Sequence, residues 1–155
     1  MGNRNKERGT KAETAVVNWL RGSCGFVEAR RNALGGRFDP GDVEPIPAAV
    51  PPVIISVKDG AEGAYCPNCR RKPELGMHTA LFRKWWFDLA ETVERRSPLA
   101  LPLLVHKRAG AASPERWKWY VDSAHMGRYR MGPIGITGAQ ARYLMQRHIA
   151  RWAEE

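Results

Sequence analysis

Six consecutive residues, Val53-Ile54-Ile55-Ser56-Val57-Lys58, constrain this chain more than any other stretch. A β-branched apolar run without polar alternation is what a central strand buried on both faces requires. Pro45, Pro47, Pro51 and Pro52 precede it and make the connection into it stiff and non-helical. The 155 residues suffice for one domain built around one core.

The flanking segments supply helices and further strands. Ala12, Ala15, Val16, Trp19 and Leu20 recur at helical spacing and predict an amphipathic helix over 5–21. Segment 26–32 reads as a first strand, and 37–46 holds a short second one. Residues 78–96 read as a second amphipathic helix, with Leu81, Trp85, Leu89 and Val93 inward. Strands follow over 101–107 and 116–121, and 122–135 reads as irregular. In the 116–121 strand, Trp117 and Trp119 read as mostly core, with one face of the strand turned away from it. Thr137 caps a last helix to about Trp152. The order helix, three strands, helix, two strands, helix predicts an α/β fold, a mixed central β-sheet flanked by helices. Residues 59–76, rich in Gly and charge, read as a loop insertion within this single domain.

Composition narrows the class. Lys and Arg number 25 against 16 Asp and Glu, a net charge of +9. Such a balance favours a polyanionic partner, because neutralising phosphates releases counterions. No apolar run approaches a membrane span, and the polar, basic start lacks a signal-peptide core. The expectation is a cytoplasmic protein without a membrane partner. Three cysteines argue against a disulfide framework.

The residues that carry chemistry are Glu13, Asp42 and Lys58. An acid at the end of one strand, then an apolar strand ending in x-Lys, is the skeleton of a metal-dependent phosphodiesterase site. Phosphodiester cleavage needs charge neutralised on phosphorus and a water activated, and a hard cation such as Mg²⁺ or Mn²⁺ held by oxygen ligands does both. Residues 56 and 58 share a strand face, so Lys58 lies where its ammonium can orient water or stabilise the transition state. Each residue has a plainer reading too. Thr10-x-x-Glu13 fits a capping box, Asp42 a turn, and Lys58 a solvated strand end.

The segments RGTKAETAVVNWLRGSCGF, GGRFDPGDV, PVIISVK, LLVHKRAG and RWKWYV, in that order, resemble the PD-(D/E)XK nuclease superfamily. Within it they look most like the small Holliday junction resolvases of archaea and of actinobacterial phages. The resemblance implies a restriction-endonuclease-like fold and a metal-dependent, structure-selective endonuclease acting on branched DNA such as four-way junctions. It also implies a homodimer and, if the chain is phage-encoded, the cytoplasm of a bacterial host. Glu13 matches the helix-one glutamate, Asp42 the metal-binding aspartate and Lys58 the catalytic lysine. Ser56 stands where the family has a metal-binding glutamate, and a hydroxyl is the weaker ligand. Asp39, Glu44 and Asp59 are nearby substitutes, with Glu44 first because it shares the strand face of Asp42. The alternative is a DNA-binding protein of the same fold whose site Ser56 has weakened or silenced.

Two further groups stand out. Cys66-Pro67-Asn68-Cys69 has the spacing of half a structural Zn²⁺ site, with His78 the nearest third ligand and Cys24 or another histidine needed as the fourth; the plainer reading is two thiols in a metal-free loop. Arg30, Arg31, Arg37, Arg70, Arg71, Lys72, Arg83 and Lys84 are candidate phosphate contacts, although each taken singly reads first as a solvated surface charge.

Overall fold

The computed structural model describes residues 4–33, 41–47, 49, 51–59, 80–108, 110–127 and 132–154. Three α-helices are described: α1 (Arg4–Gly22), α2 (Ala80–Arg96) and α3 (Gly138–Ala153). The strands are β1 (Arg30–Arg31), β2 (Val43–Glu44), β3 (Val53–Lys58), β4 (Leu101–His106), β5 (Lys118–Asp122) and β6 (Pro133–Ile136). They form one sheet in the order β1-β2-β3-β4-β5-β6. All neighbours are antiparallel except β3 and β4, which run parallel from Val53↔Leu101 to Lys58↔His106. A parallel pair needs a long crossover, and α2 lies in it.

Alternation along the strands splits the core in two. Val53, Ile55 and Val57 of β3 join Leu103, Val105, Trp119 and Val121 in one cluster with α1 and α3. Ile54, Leu104 and Tyr120 point to the other face, where Phe82 and Leu89 of α2 meet them. Every residue of β4 and five of the six in β3 are buried, as their composition requires. Each such Ile, Leu or Val stabilises the fold by about 2 kcal/mol. Burial pushes the Cys24 thiol up to about 11, among the apolar side chains under α1.

Several expectations need correction. Helix α2 buries Phe82, Leu89 and Thr92 and packs Trp85 and Val93 against the same cluster; only Leu81 departs from the inward face, with Phe82 in its place. The aromatic strand presents no bare aromatic face: Trp117, Trp119 and Tyr120 are all buried, because helices cover the sheet on both sides. Thr10 lies inside α1 and accepts at its carbonyl from Thr14 Oγ1, so it caps nothing. A short strand, β6, runs through the segment read as irregular and pairs with β5. Among the described residues β1 and β2 are two residues long, shorter than the segments read for them.

The capping box at α3 is present, with Thr137 Oγ1 accepting from Gln140 N–H and Gln140 Oε1 from Thr137 N–H. Immediately after the cap, Gly138 rests on the backbone of the 3₁₀ turn Pro114–Arg116. A Cβ there would lie 2.5 Å from the Glu115 carbonyl oxygen and 2.6 Å from its Cα. Backbone cannot step aside as a side-chain tip can. Gly138→Ala is expected to lower stability by about 3 kcal/mol, read as a shifted urea midpoint at unchanged slope. Wild-type stability in that variant would show that the α3 entry is not close-packed.

Candidate functional site

The site begins where β2 peels away from β3. Gly41 has φ +91°, a left-handed conformation, and a Cβ there would meet Ile54 Cγ2 at 2.6 Å. Only glycine fits both demands. Next to it, Asp42 N–H donates to the Ile55 carbonyl at 3.0 Å, and Asn32 N–H donates to the Asp42 carbonyl at 2.9 Å. The Asp42 side chain then reaches across to β3. Its Oδ2 accepts from Val57 N–H at 2.6 Å and from Ser56 Oγ at 3.4 Å. The carboxylate thus takes the β3 amide that a longer β2 would have paired, and it is fixed by that amide.

Ser56 and Lys58 lie on the α2 side of β3, the side of Ile54. With Asp42 they line a pocket of about 230 Å³, whose opposite wall is α2. That wall contributes Asp88, Glu91 and Arg95. Asp88 and Glu91 are exposed, while Ser56 is buried at the pocket floor. Three carboxylates, two hydroxyls (Ser56 and Thr92), one ammonium and one guanidinium thus surround a single recess. The acids are hard oxygen donors of the kind Mg²⁺ takes, and the two cations suit a phosphate. Among the described residues, no three acids, histidines or cysteines are grouped closely enough to hold one ion. A cation here would be held by one or two side chains, with water completing its shell.

The remaining site candidates are distributed as follows. Glu13 does not line this pocket. Its Oε2 accepts from Arg31 Nε at 2.7 Å, linking α1 to β1. Glu44 shares the face of Asp42 as expected, but it lies further along β2 and is ion-paired with Arg96 at the end of α2. Asp59 is held between Arg8 Nη2 at 3.9 Å and Lys107 Nζ at 3.8 Å. Arg30 is exposed on β1, and Arg83 and Lys84 are exposed in the second turn of α2. Arg37, Asp39, Cys66, Cys69, Arg70, Arg71, Lys72 and His78 lie outside the described residues. Asp88, Glu91 and Arg95 were not legible as site residues. On a helix they read as ordinary surface charges, and only the placement of α2 against the Asp42–Lys58 gap brings them in. Their i, i+3, i+7 spacing, a single helix face, was the available signal.

Among the described residues, no helix is long and apolar enough to cross a membrane. No protein-family model matches the sequence, and comparison with curated proteins and with solved structures gave no significant match.

Proposed function

We propose that this chain is a metal-dependent nuclease, and more narrowly a structure-selective DNA endonuclease of the Holliday-junction-resolving kind, with the PD-(D/E)XK arrangement that its motifs resemble. The carrying observation is the shared recess: Asp42, Ser56 and Lys58, distant in sequence from Asp88, Glu91 and Arg95, all line it. A net charge of +9 supports a polyanionic substrate. The donor set supports Mg²⁺ or Mn²⁺, with Asp42 and an α2 acid, Glu91 or Asp88, as side-chain ligands in place of the glutamate that Ser56 replaces. When bound, such an ion neutralises phosphoryl charge and acidifies water. Lys58, on the same strand face as Ser56, stabilises charge developing on the phosphoryl oxygens. Arg95 supplies a second contact to the phosphate, and Glu13 with Arg31 acts as a brace between α1 and β1. The branched-DNA preference rests on the motif resemblance.

A second reading is favoured by two particular bonds. Asp42 Oδ2 is engaged by Val57 N–H, and Glu13 by Arg31. Acids committed to the protein fit a DNA-binding protein of this fold whose site no longer cuts.

One titration separates the two. Four-way junction, duplex, flap and single-stranded DNA compete in Mg²⁺ and Mn²⁺ series. Junction nicking that is lost in Asp42→Ala, with binding retained, supports the nuclease. Tight junction binding without nicking at any metal concentration supports the binder, and cutting gained in Ser56→Glu identifies the missing ligand as the cause. Loss of preference among the four DNAs overturns the junction assignment alone.

A further inference from the structure

We propose that the recess between α3 and the start of β4 is a single-strand site, which takes unpaired nucleotides of a nucleic acid. It lies apart from the Asp42 recess and does not rest on the catalytic reading. Its volume is about 570 Å³, within the range of built ligand sites. Leu101 forms part of its wall. His148, in the same wall, has its Nε2 3.0 Å from the Pro51 carbonyl oxygen. The recess therefore opens where the parallel strands β3 and β4 begin. Lys58, in the Asp42 recess, ends β3 about 17 Å further along the strand.

Three side chains of α3 define the ligand. Tyr143, Arg147 and Arg151 stand at i, i+4 and i+8 and line one wall. Tyr143 is 60% exposed, so most of its ring surface is uncovered. Arg147 and Arg151 are one turn apart, about 6 Å along the helix axis. That step is close to the one between neighbouring phosphates of an extended strand. Arg151 also lies over the Trp152 ring, 5.2 Å from its centroid, which limits where the guanidinium can point. Among the described residues no acid lines this recess. Phosphates are drawn to the guanidinium groups, and a base has a ring to stack on. Only a base outside a duplex exposes its face to such a ring.

The length of the basic track selects a strand over a free nucleotide. Gln140 lines both this recess and a neighbouring one of about 520 Å³, where Arg108, Arg116 and Lys118 stand. Among the described residues Glu115 is the one acid there, and Arg142 Nη1 lies 3.8 Å from it. Cations thus run through two adjoining recesses, further than one phosphate group reaches. An anionic membrane would need its anchors on a projecting face, whereas Tyr143 stands in a concave wall.

Fluorescence anisotropy of the full chain on a labelled thymidine strand of about ten nucleotides tests this. With EDTA present no divalent metal is available, so the readings stand whether or not the Asp42 recess cuts. Tyr143→Ala is expected to weaken strand binding about 5- to 150-fold at an unchanged salt slope. Tyr143→Phe should bind as the wild type does, since the stacking ring remains. Arg147→Ala should lower the salt slope by about 0.7, one phosphate contact on a single strand. A blunt duplex of the same length should bind the wild type and Tyr143→Ala equally, which separates a lost stack from a misfolded variant. Strand binding unchanged in Tyr143→Ala overturns the proposal, as does an unchanged salt slope in Arg147→Ala. So does an equal loss on the duplex, or thymidine monophosphate that binds as tightly as the strand. Phosphatidylserine vesicles that bind the wild type more tightly than the strand does, and lose Tyr143→Ala, would assign the recess to a membrane and overturn it as well.

Discussion

Lys58→Ala is expected to lower the single-turnover rate of the proposed phosphodiester cleavage by about 10²- to 10³-fold, the cost of removing one positioned charge from a developing oxyanion. Lys58 ends β3, five of whose six residues are buried, and its neighbour His106 on β4 is itself buried. The Lys58 side chain is partly buried and lines the recess with Asp42 and Ser56, which distinguishes it from a solvated surface lysine. Affinity tells the same two roles apart. A lysine that only touches phosphate contributes one counterion, and its loss changes the salt slope of binding by about 1 while cleavage falls only as binding does. Single-turnover cleavage at saturating enzyme, paired with anisotropy over a salt series, resolves the two. Lys58→Arg keeps the charge but moves it outward on a planar fork, so partial activity is expected. Cleavage unchanged in Lys58→Ala would remove this residue from the chemistry and leave Asp42 with only a strand-pairing role.

The parts of the fold readable beforehand are those where local pattern and tertiary burial agree. Strand β3 was readable to the residue, because a branched apolar run fits only a doubly covered position. The entry to α3 was readable because Thr137 and Gln140 form a capping box that needs no distant partner. Strand β6 was hidden for a physical reason: Pro133 and Gly135 weaken β propensity, and an edge strand tolerates both. The inward face of α2 matches at Trp85, Leu89 and Val93, while Phe82 takes the inward place read for Leu81. Apolar side chains surround that helix, and periodicity alone cannot say which arc the sheet takes. Asp42 and Lys58 were legible as a pair, since alternation and strand order set their side of the sheet. Asp88, Glu91 and Arg95 became visible only once α2 was docked. Glu44 looked the better substitute acid because strand spacing is visible in sequence, whereas Arg96 arriving from a helix fifty residues later is not.

Arg96→Ala destabilises the chain by about 3 kcal/mol, a loss of roughly 10 °C in Tm for a domain of this size. Glu44 is only 4% exposed, and its carboxylate meets Arg96 Nη1 at 2.5 Å. Removing the guanidinium leaves a buried anion whose desolvation nothing offsets. The Arg96 side chain is partly wet, at 28% exposure, so water can enter the gap and the cost stays at the low end of that for breaking a buried pair. Charge, rather than packing, carries the effect. Glu44→Leu combined with Arg96→Leu removes both ions together and is expected within about 1 kcal/mol of wild type. Urea midpoints for the single and double variants give the coupling directly. The pair also fastens the end of α2 to β2, next to Arg95, the last residue of the helix face that brings Asp88, Glu91 and Arg95 to Asp42. Arg96→Ala should therefore lose cleavage well below its own melting temperature, whereas the double leucine variant should hold stability and lose cleavage by a smaller factor. Equal cleavage in all three forms would mean that the α2 wall takes no part in the chemistry, and Asp42 and Lys58 would have to act without it.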